Sequence, residues 1–246
     1  MALADELGVP IPATLCYDNV TEITADIIRF MNYPCYLKAA VSVSGVGIYR
    51  CMNEADMRKA IKSFSATTPV QIQEEVVTDT FLNLQYEVRG DELHRLTASE
   101  QILEGFTHQG NRVPASHEPW EAVEPMAIWL KDRGIKGIFA FDVAVVQTRH
   151  GLRFLAIECN PRYNGASYPT IIANKLGVTE WCAQNLSTQH QNLCDIDLSG
   201  IEYNASTGKG VVIVNWGTVL AGKLVFLISG NIEEQKQYLA KLKTRL

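Results

Sequence analysis

The chain has 246 residues, enough for one large domain or two small ones with a real hydrophobic core. Hydrophobic residues make up 47% and charged residues 20%, an ordinary globular balance. The net charge is −5 and no Lys/Arg-rich run stands out, which argues against a nucleic-acid backbone as partner.

Six cysteines lie at positions 16, 35, 51, 159, 182 and 194, with no C-x-x-C pair and no zinc spacing. Cys35, Cys51 and Cys159 have apolar or strand-like flanks and read as buried, reduced thiols of a cytoplasmic protein. The N-terminus is acidic and has no apolar signal core. The most membrane-like stretch, 210–230, is split by Ala221-Gly222-Lys223 and reads as two strands joined by a turn rather than a membrane span.

Residues 9–18 read as a linker entering a domain. Asp18 is placed to cap a helix running to about Asn32. A strand is predicted over 35–41, then the loop 42–47, then a strand near 47–51. Asn53 caps a second helix with Met57, Ala60, Ile61 and Phe64 on its apolar face. Strands follow over 70–77, 81–88 and 92–102, the last two joined by Arg89-Gly90-Asp91. Residues 104–118 are polar, hold Gly105, Gly110 and Pro114, and read as a mobile loop. A helix through Leu130 precedes Gly134, with Pro125 starting or kinking it. Strands over 137–147 and 152–160 form a hairpin. Pro169 starts a helix that Gly177 ends. Two strands and a final helix over 232–246 close the chain. The mixed order and the antiparallel neighbours predict an α+β fold rather than a doubly wound parallel sheet.

Strand parity gives the chemistry its first foothold. Phe139, Phe141, Val143 and Val145 share one face, and Ala140, Asp142 and Ala144 the other. In the next strand Ala156, Glu158 and Asn160 share a face. A turn at Arg149-His150-Gly151 sets Asp142 opposite Glu158 and Ala140 opposite Asn160. Facing like charges destabilise a sheet, and a hard divalent cation with oxygen ligands would relieve that. Two ordinary solvated acids remain the alternative on parity alone.

The segment Ile157-Glu-Cys-Asn-Pro-Arg162, with an acid on the preceding strand, resembles the metal-binding signature of the ATP-grasp superfamily. Tyr36-Leu-Lys38 before Ser42-Val-Ser-Gly-Val-Gly47 is similar to that family's strand lysine and phosphate loop. Gln71-Ile-Gln-Glu-Glu-Val-Val77 is similar to its adenine-reading hinge strand. The resemblance covers about residues 8–180. It implies two α+β subdomains clasping ATP, with Asp142, Glu158 and Asn160 holding Mg2+ (Mn2+ as the alternative). Arg162 then steadies phosphate or acyl-phosphate charge, and Lys38 meets the α/β-phosphates. Ser44, Gly45 and Gly47 close over the phosphates. Glu74 and the backbone of Glu75, Val76 and Val77 meet adenine, and Asp79 meets the ribose.

The implied subdivision is 13–77 as the small subdomain, 78–200 as the large one with the metal site, and 201–246 as a C-terminal strand pair and helix. The implied activity is a Mg-ATP-dependent ligase that activates a carboxylate as an acyl phosphate for an amine or other nucleophile. A branch resembling biotin carboxylase or carbamoyl phosphate synthetase stays open. The family usually has an N-terminal α/β domain, whereas this chain begins near the linker 7–12. A non-catalytic or fragmentary ATP-binding module acting with a partner chain is therefore the second expectation. Small-molecule carboxylate and amine substrates are expected, with neither nucleic acid nor membrane as partner. Arg112 is an open candidate for a further substrate contact. His108, His117 and His150 have no partner at a telling spacing. Thr207-Gly-Lys-Gly210 lacks the leading glycine and the Ser/Thr of a P-loop.

Overall fold

The computed structural model describes residues 1–41, 47–105 and 107–246. In chain order the elements begin with α1 (Ala2–Glu6), β1 (Thr14–Tyr17), α2 (Ala25–Phe30), β2 (Cys35–Ala39), β3 (Ile48–Cys51), α3 (Glu54–Ile61) and β4 (Val70–Glu74). Next come β5 (Phe81–Arg89), β6 (Glu92–Glu104), β7 (Thr107–Val113), α4 (Trp120–Asp132), β8 (Gly137–Thr148) and β9 (Gly151–Asn160). The chain closes with α5 (Ser167–Leu176), β10 (Trp181–Ser187), β11 (Gly210–Asn215), β12 (Lys223–Ser229) and α6 (Ile232–Lys243). The strands form a four-stranded sheet, β1-β4-β2-β3, and an eight-stranded sheet, β11-β12-β10-β7-β6-β5-β8-β9. The ladders of the smaller sheet are antiparallel, as are those joining β5 to β6, β6 to β7, β7 to β10, β10 to β12 and β12 to β11. The chain is α+β, as its element order implies.

Two compact units divide the chain. The first holds Met1–Thr80, Glu121–Leu130 and Val143–Glu158; the second holds Phe81–Trp120, Lys131–Asp142 and Cys159–Leu246. In the first, Cys35 and Leu37 of β2 and Val70 and Ile72 of β4 point into a core with Ile28 of α2 and Met57 and Ala60 of α3. That alternation leaves Tyr36 and Lys38 on the other face of β2. In the second, Tyr86 stacks on Phe139 at 5.6 Å and meets Trp120 and Phe141 edge-on, at 5.2 and 6.0 Å. A separate core under β10–β12 takes Phe226, Ile228, Ile201 and Leu242 of α6.

Local signals set most helix ends. Asn53 caps α3 by accepting from the Asp56 N–H, and Gly177, in a left-handed conformation, ends α5. Asn231 and Glu234 form a reciprocal capping box at α6. The membrane-like stretch is indeed two strands, with Gly222 at φ 69° in the connection. Among the described residues no helix is long and apolar enough to cross a membrane.

Several expectations need correction. The helix predicted from Asp18 to Asn32 is broken: Asn19 starts a short 3-10 turn over Val20–Glu22, and Thr24 recaps the chain for α2. Two competing capping side chains divide what the apolar spacing alone would join. The strand over 70–77 ends at Glu74. Of the two readings of Pro125, the one that starts the helix fails: it lies inside α4. The hairpin between β8 and β9 turns on two residues, Arg149 and His150, with Gly151 already in the strand. Cys159 is only half-buried, whereas Cys182 is buried; none of the six cysteines is in a disulfide.

The largest correction is the segment 104–118, which supplies a central strand, β7, paired to β6 and β10. Gly110 is no loop marker. A Cβ there would lie 1.8 Å from the Ala183 carbonyl oxygen, so glycine is what lets β10 come close. The strand β10 itself has no counterpart in the sequence reading.

Candidate functional site

Lys38 belongs to the first unit, on the face of β2 away from the core. Its ammonium donates to Oε1 of Gln73 at 2.5 Å and lies 5.6 Å from the centre of the Tyr36 ring. Burial pushes its pKa down from 10.5 to about 8, and the carboxylate of Glu158 pulls the other way. A half-buried lysine whose hydrogen-bond partner is a neutral amide is suited to receiving an anionic ligand.

Two residues predicted to read a nucleotide base take separate roles in the first unit. Glu74, exposed at the end of β4, accepts from the Ala13 N–H at 2.8 Å, and its own N–H donates to the Ala13 carbonyl. Glu75 accepts from Arg50, Nε at 2.5 Å and Nη2 at 2.8 Å, and from the Tyr36 hydroxyl at 2.8 Å. Arg50 holds its carboxyl below the usual glutamate range. Val76 and Val77 follow outside any strand, Val77 being 83% exposed, and Asp79 is exposed beyond them. The carbonyl of Gly47, at φ 75°, accepts from the Ala39 N–H at 3.0 Å. Ser44 and Gly45 lie outside the described residues.

Asp142 and Asn160 belong to the second unit, and the structure brings them together. The Asn160 Nδ2 group donates to Oδ2 of Asp142 at 3.2 Å, while Asn83 of β5 donates to Oδ1 at 2.6 Å. Asp142 is half-buried, Asn160 and Asn83 are buried, and the flanking Ala140 and Ala144 are fully covered. Because Asn160 directs its N–H2 at Asp142, its amide oxygen is the end left for a ligand. Glu158 is exposed and lies in the first unit.

Among the described residues no cluster of three or more His, Cys, Asp or Glu is arranged to hold a metal ion. The predicted set is two carboxylates and an amide. Such hard oxygen donors suit Mg2+, which keeps waters and takes substrate phosphates to complete its shell. Arg162 is exposed and donates to the Tyr163 carbonyl at 3.1 Å. It is followed by Asn164, whose side-chain oxygen accepts from the Ala166 and Ser167 N–H groups at the start of α5. Arg112 lies 3.8 Å from Glu100, on exposed strand ground.

Sequence reasoning missed the residues behind Asp142. On β5, Leu82, Leu84 and Tyr86 alternate with Asn83 and Gln85, and the polar face is as buried as the apolar one. Ser99 of β6 and Asn111 of β7 continue it, at 0% and 1% exposure. The available signal was composition: the polar positions carry amides and a hydroxyl rather than the lysines and glutamates of a solvated face.

No protein-family model matches the chain, and no curated protein matches it in sequence. Solved structures do match. An ADP complex of N5-carboxyaminoimidazole ribonucleotide synthetase is 14% identical with a TM-score of 0.67, covering 98% of this chain and 68% of that one. The enzyme of that name from Thermus thermophilus is 17% identical, TM-score 0.66, covering 100% and 70%. Biotin carboxylase from Campylobacter jejuni, in a β,γ-ATP complex, is 14% identical, TM-score 0.71, covering 98% and 65%. The chain has the ATP-grasp fold of these enzymes and spans about two thirds of their length.

Proposed function

We propose that this ATP-grasp chain binds Mg-ATP and serves as the nucleotide-binding and catalytic part of a ligase that activates a carboxylate for attack by an amine or other nucleophile. The observation that carries the reading is Asp142, which accepts from two amides, Asn83 of β5 and Asn160 of the Glu-x-Asn-Pro-Arg strand. The solved structures of this fold with bound ATP or ADP support the choice of nucleotide.

In this reading Asp142, Glu158 and Asn160 hold the Mg2+ through their side-chain oxygens. The cation, when bound, neutralises phosphate charge. Lys38 sets its ammonium against the phosphates, and Gly47, with Ser44 and Gly45, offers backbone N–H groups to them. The hinge at Glu74, Glu75, Val76 and Val77 takes the adenine edge and Asp79 the ribose. Glu75 contributes through its backbone, since its carboxylate is held by Arg50 and Tyr36. Arg162 presents a planar fork to the oxygens of the group being transferred. Phosphoryl transfer asks for positioning and charge neutralisation more than for covalent help, and these residue types supply both. A cytoplasmic setting with reduced thiols completes the reading.

Thermal denaturation with and without Mg-ATP tests it, on the wild type and Glu158→Gln. Stabilisation of the wild type by Mg-ATP, lost in the variant, is expected. No shift in the wild type sinks nucleotide binding. A shift without ADP release across a panel of carboxylic acids and amines limits the chain to nucleotide binding alone.

A further inference from the structure

We propose that Asn83 is a positioning residue for Asp142, the inner end of a buried polar relay that runs to the loop bearing Arg162. The inference deepens the proposed function and assumes its cation site.

The relay lies on one face of the second unit. Asn83 is 3% exposed, and its Nδ2 group donates to Oδ1 of Asp142 at 2.6 Å, a charge-assisted bond shorter than the 3.2 Å one from Asn160. Ser99 is the registered partner of Asn83 on β6, and its hydroxyl reaches the Asn83 carbonyl at 3.5 Å. The Asn111 Nδ2 group donates to the Ser99 hydroxyl oxygen at 3.0 Å. That leaves the Asn111 oxygen to accept, so His108 carries its proton on Nε2 and donates at 2.6 Å. The far side of the His108 ring packs against Gly165, where a Cβ would come within 2.9 Å of Cε1. Gly165 is three residues beyond Arg162.

One atom in this relay is anomalous. Oδ1 of Asn83 is buried without a hydrogen-bond partner. A buried amide that leaves its oxygen unsatisfied sacrifices stability, by itself a reason for an apolar side chain at that position. What the asparagine gives in return is the N–H aimed at Asp142. A leucine of similar size would fill the space and remove the orphan, but would release one oxygen of the carboxylate to rotate. Hydrogen-bonded partners of ligating carboxylates fix ligand direction, and removing one commonly costs about 10–100-fold in metal affinity.

The test measures metal binding rather than turnover. Mn2+ is titrated into the full chain at fixed ADP, and free Mn2+ is followed by electron paramagnetic resonance. ADP affinity in EDTA and the melting temperature are measured in parallel. For Asn83→Leu the expected result is about a tenfold weaker Mn2+ affinity, with ADP affinity in EDTA unchanged. Ser99→Ala, which cuts the relay one step further out, should weaken Mn2+ in the same metal-specific way but less, and decides the matter if Asn83→Leu does not fold. Unchanged Mn2+ affinity overturns the positioning role, as does an equal loss of ADP affinity with and without metal. Failure of the wild type to bind Mn2+ with ADP overturns the proposed function, and this role with it. Binding by the wild type with an indifferent variant overturns this role alone.

Discussion

The surroundings of Lys38 and those of Asp142 hold opposite charges by different means. Lys38 sits in a small sheet, desolvated, with one amide oxygen as its hydrogen-bond acceptor, and its pKa falls to about 8. Asp142 sits in the large sheet with two amide N–H groups directed at its two oxygens. The first arrangement leaves a charge that titrates just above neutrality. The second fixes the direction of a charge. A cationic contact to phosphate can be switched by pH, while a metal ligand needs geometry first.

The most severe test of the Asp142 side is to disturb its frame. Gly110→Val should cost about 3 kcal/mol or more, because the added carbons meet a backbone carbonyl that cannot step aside. Chemical denaturation measures the loss. If the variant is as stable as the wild type, β10 does not approach β7 as described. Next, Asp142→Asn should abolish metal-dependent stabilisation by ATP, which at a hundredfold excess over Kd is about 2.7 kcal/mol in the wild type. Retention of that shift would remove Asp142 from the metal set.

Lys38→Met should weaken ADP binding by about 2 kcal/mol, the scale of one hydrogen bond from a charged group. The wild type offers a sharper check by pH. Between about 8 and 10.5 the folded protein has lost the Lys38 proton while the unfolded chain keeps it, so this group makes stability rise with pH in that window. Nucleotide affinity should fall over the same window, and binding near pH 9 should take up a proton. Calorimetry in buffers of different ionisation enthalpy would detect the uptake, and the Met variant should lack it.

Arg50→Ala gives the smallest effect, since Arg50 is exposed and solvent screens its pair with Glu75. Arg50 depresses the Glu75 pKa, so its contribution is present above the ordinary glutamate pKa and lost as pH falls through the depressed one. The deficit of the variant against the wild type should therefore vanish in acid, by thermal melts across pH.

Strand parity made the apolar face of β8 legible, and the Glu-x-Asn-Pro-Arg motif singled out the strand whose Asn160 meets Asp142. The segment around Gly110 was misread because the same residue serves a turn and a close strand approach, and only the partner strand distinguishes them. The polar face of β5 was legible as a face but not as a buried one. Alternation tells which side chains point together, and Thr170 of α5, which receives a bond from Gln85 at 2.9 Å, lies 85 residues away. The recapping at Thr24 was a contest between neighbouring side chains that apolar spacing does not register.

The close approach at Gly110 also makes a seam. The ladder between β7 and β10 spans four registered pairs, Trp181 with Val113 through Gln184 with Gly110, against seven between β10 and β12. Beyond that seam, β10, β12, β11 and α6 share their own apolar core. Residues 181–246 join the rest of the sheet through those four pairs and through Ala173 and Val113, which pack with Trp181, Ala183 and Leu227. So short a join is a natural place for evolution to trim or graft a C-terminal piece while leaving the strands that carry Asp142 and Asn160 intact.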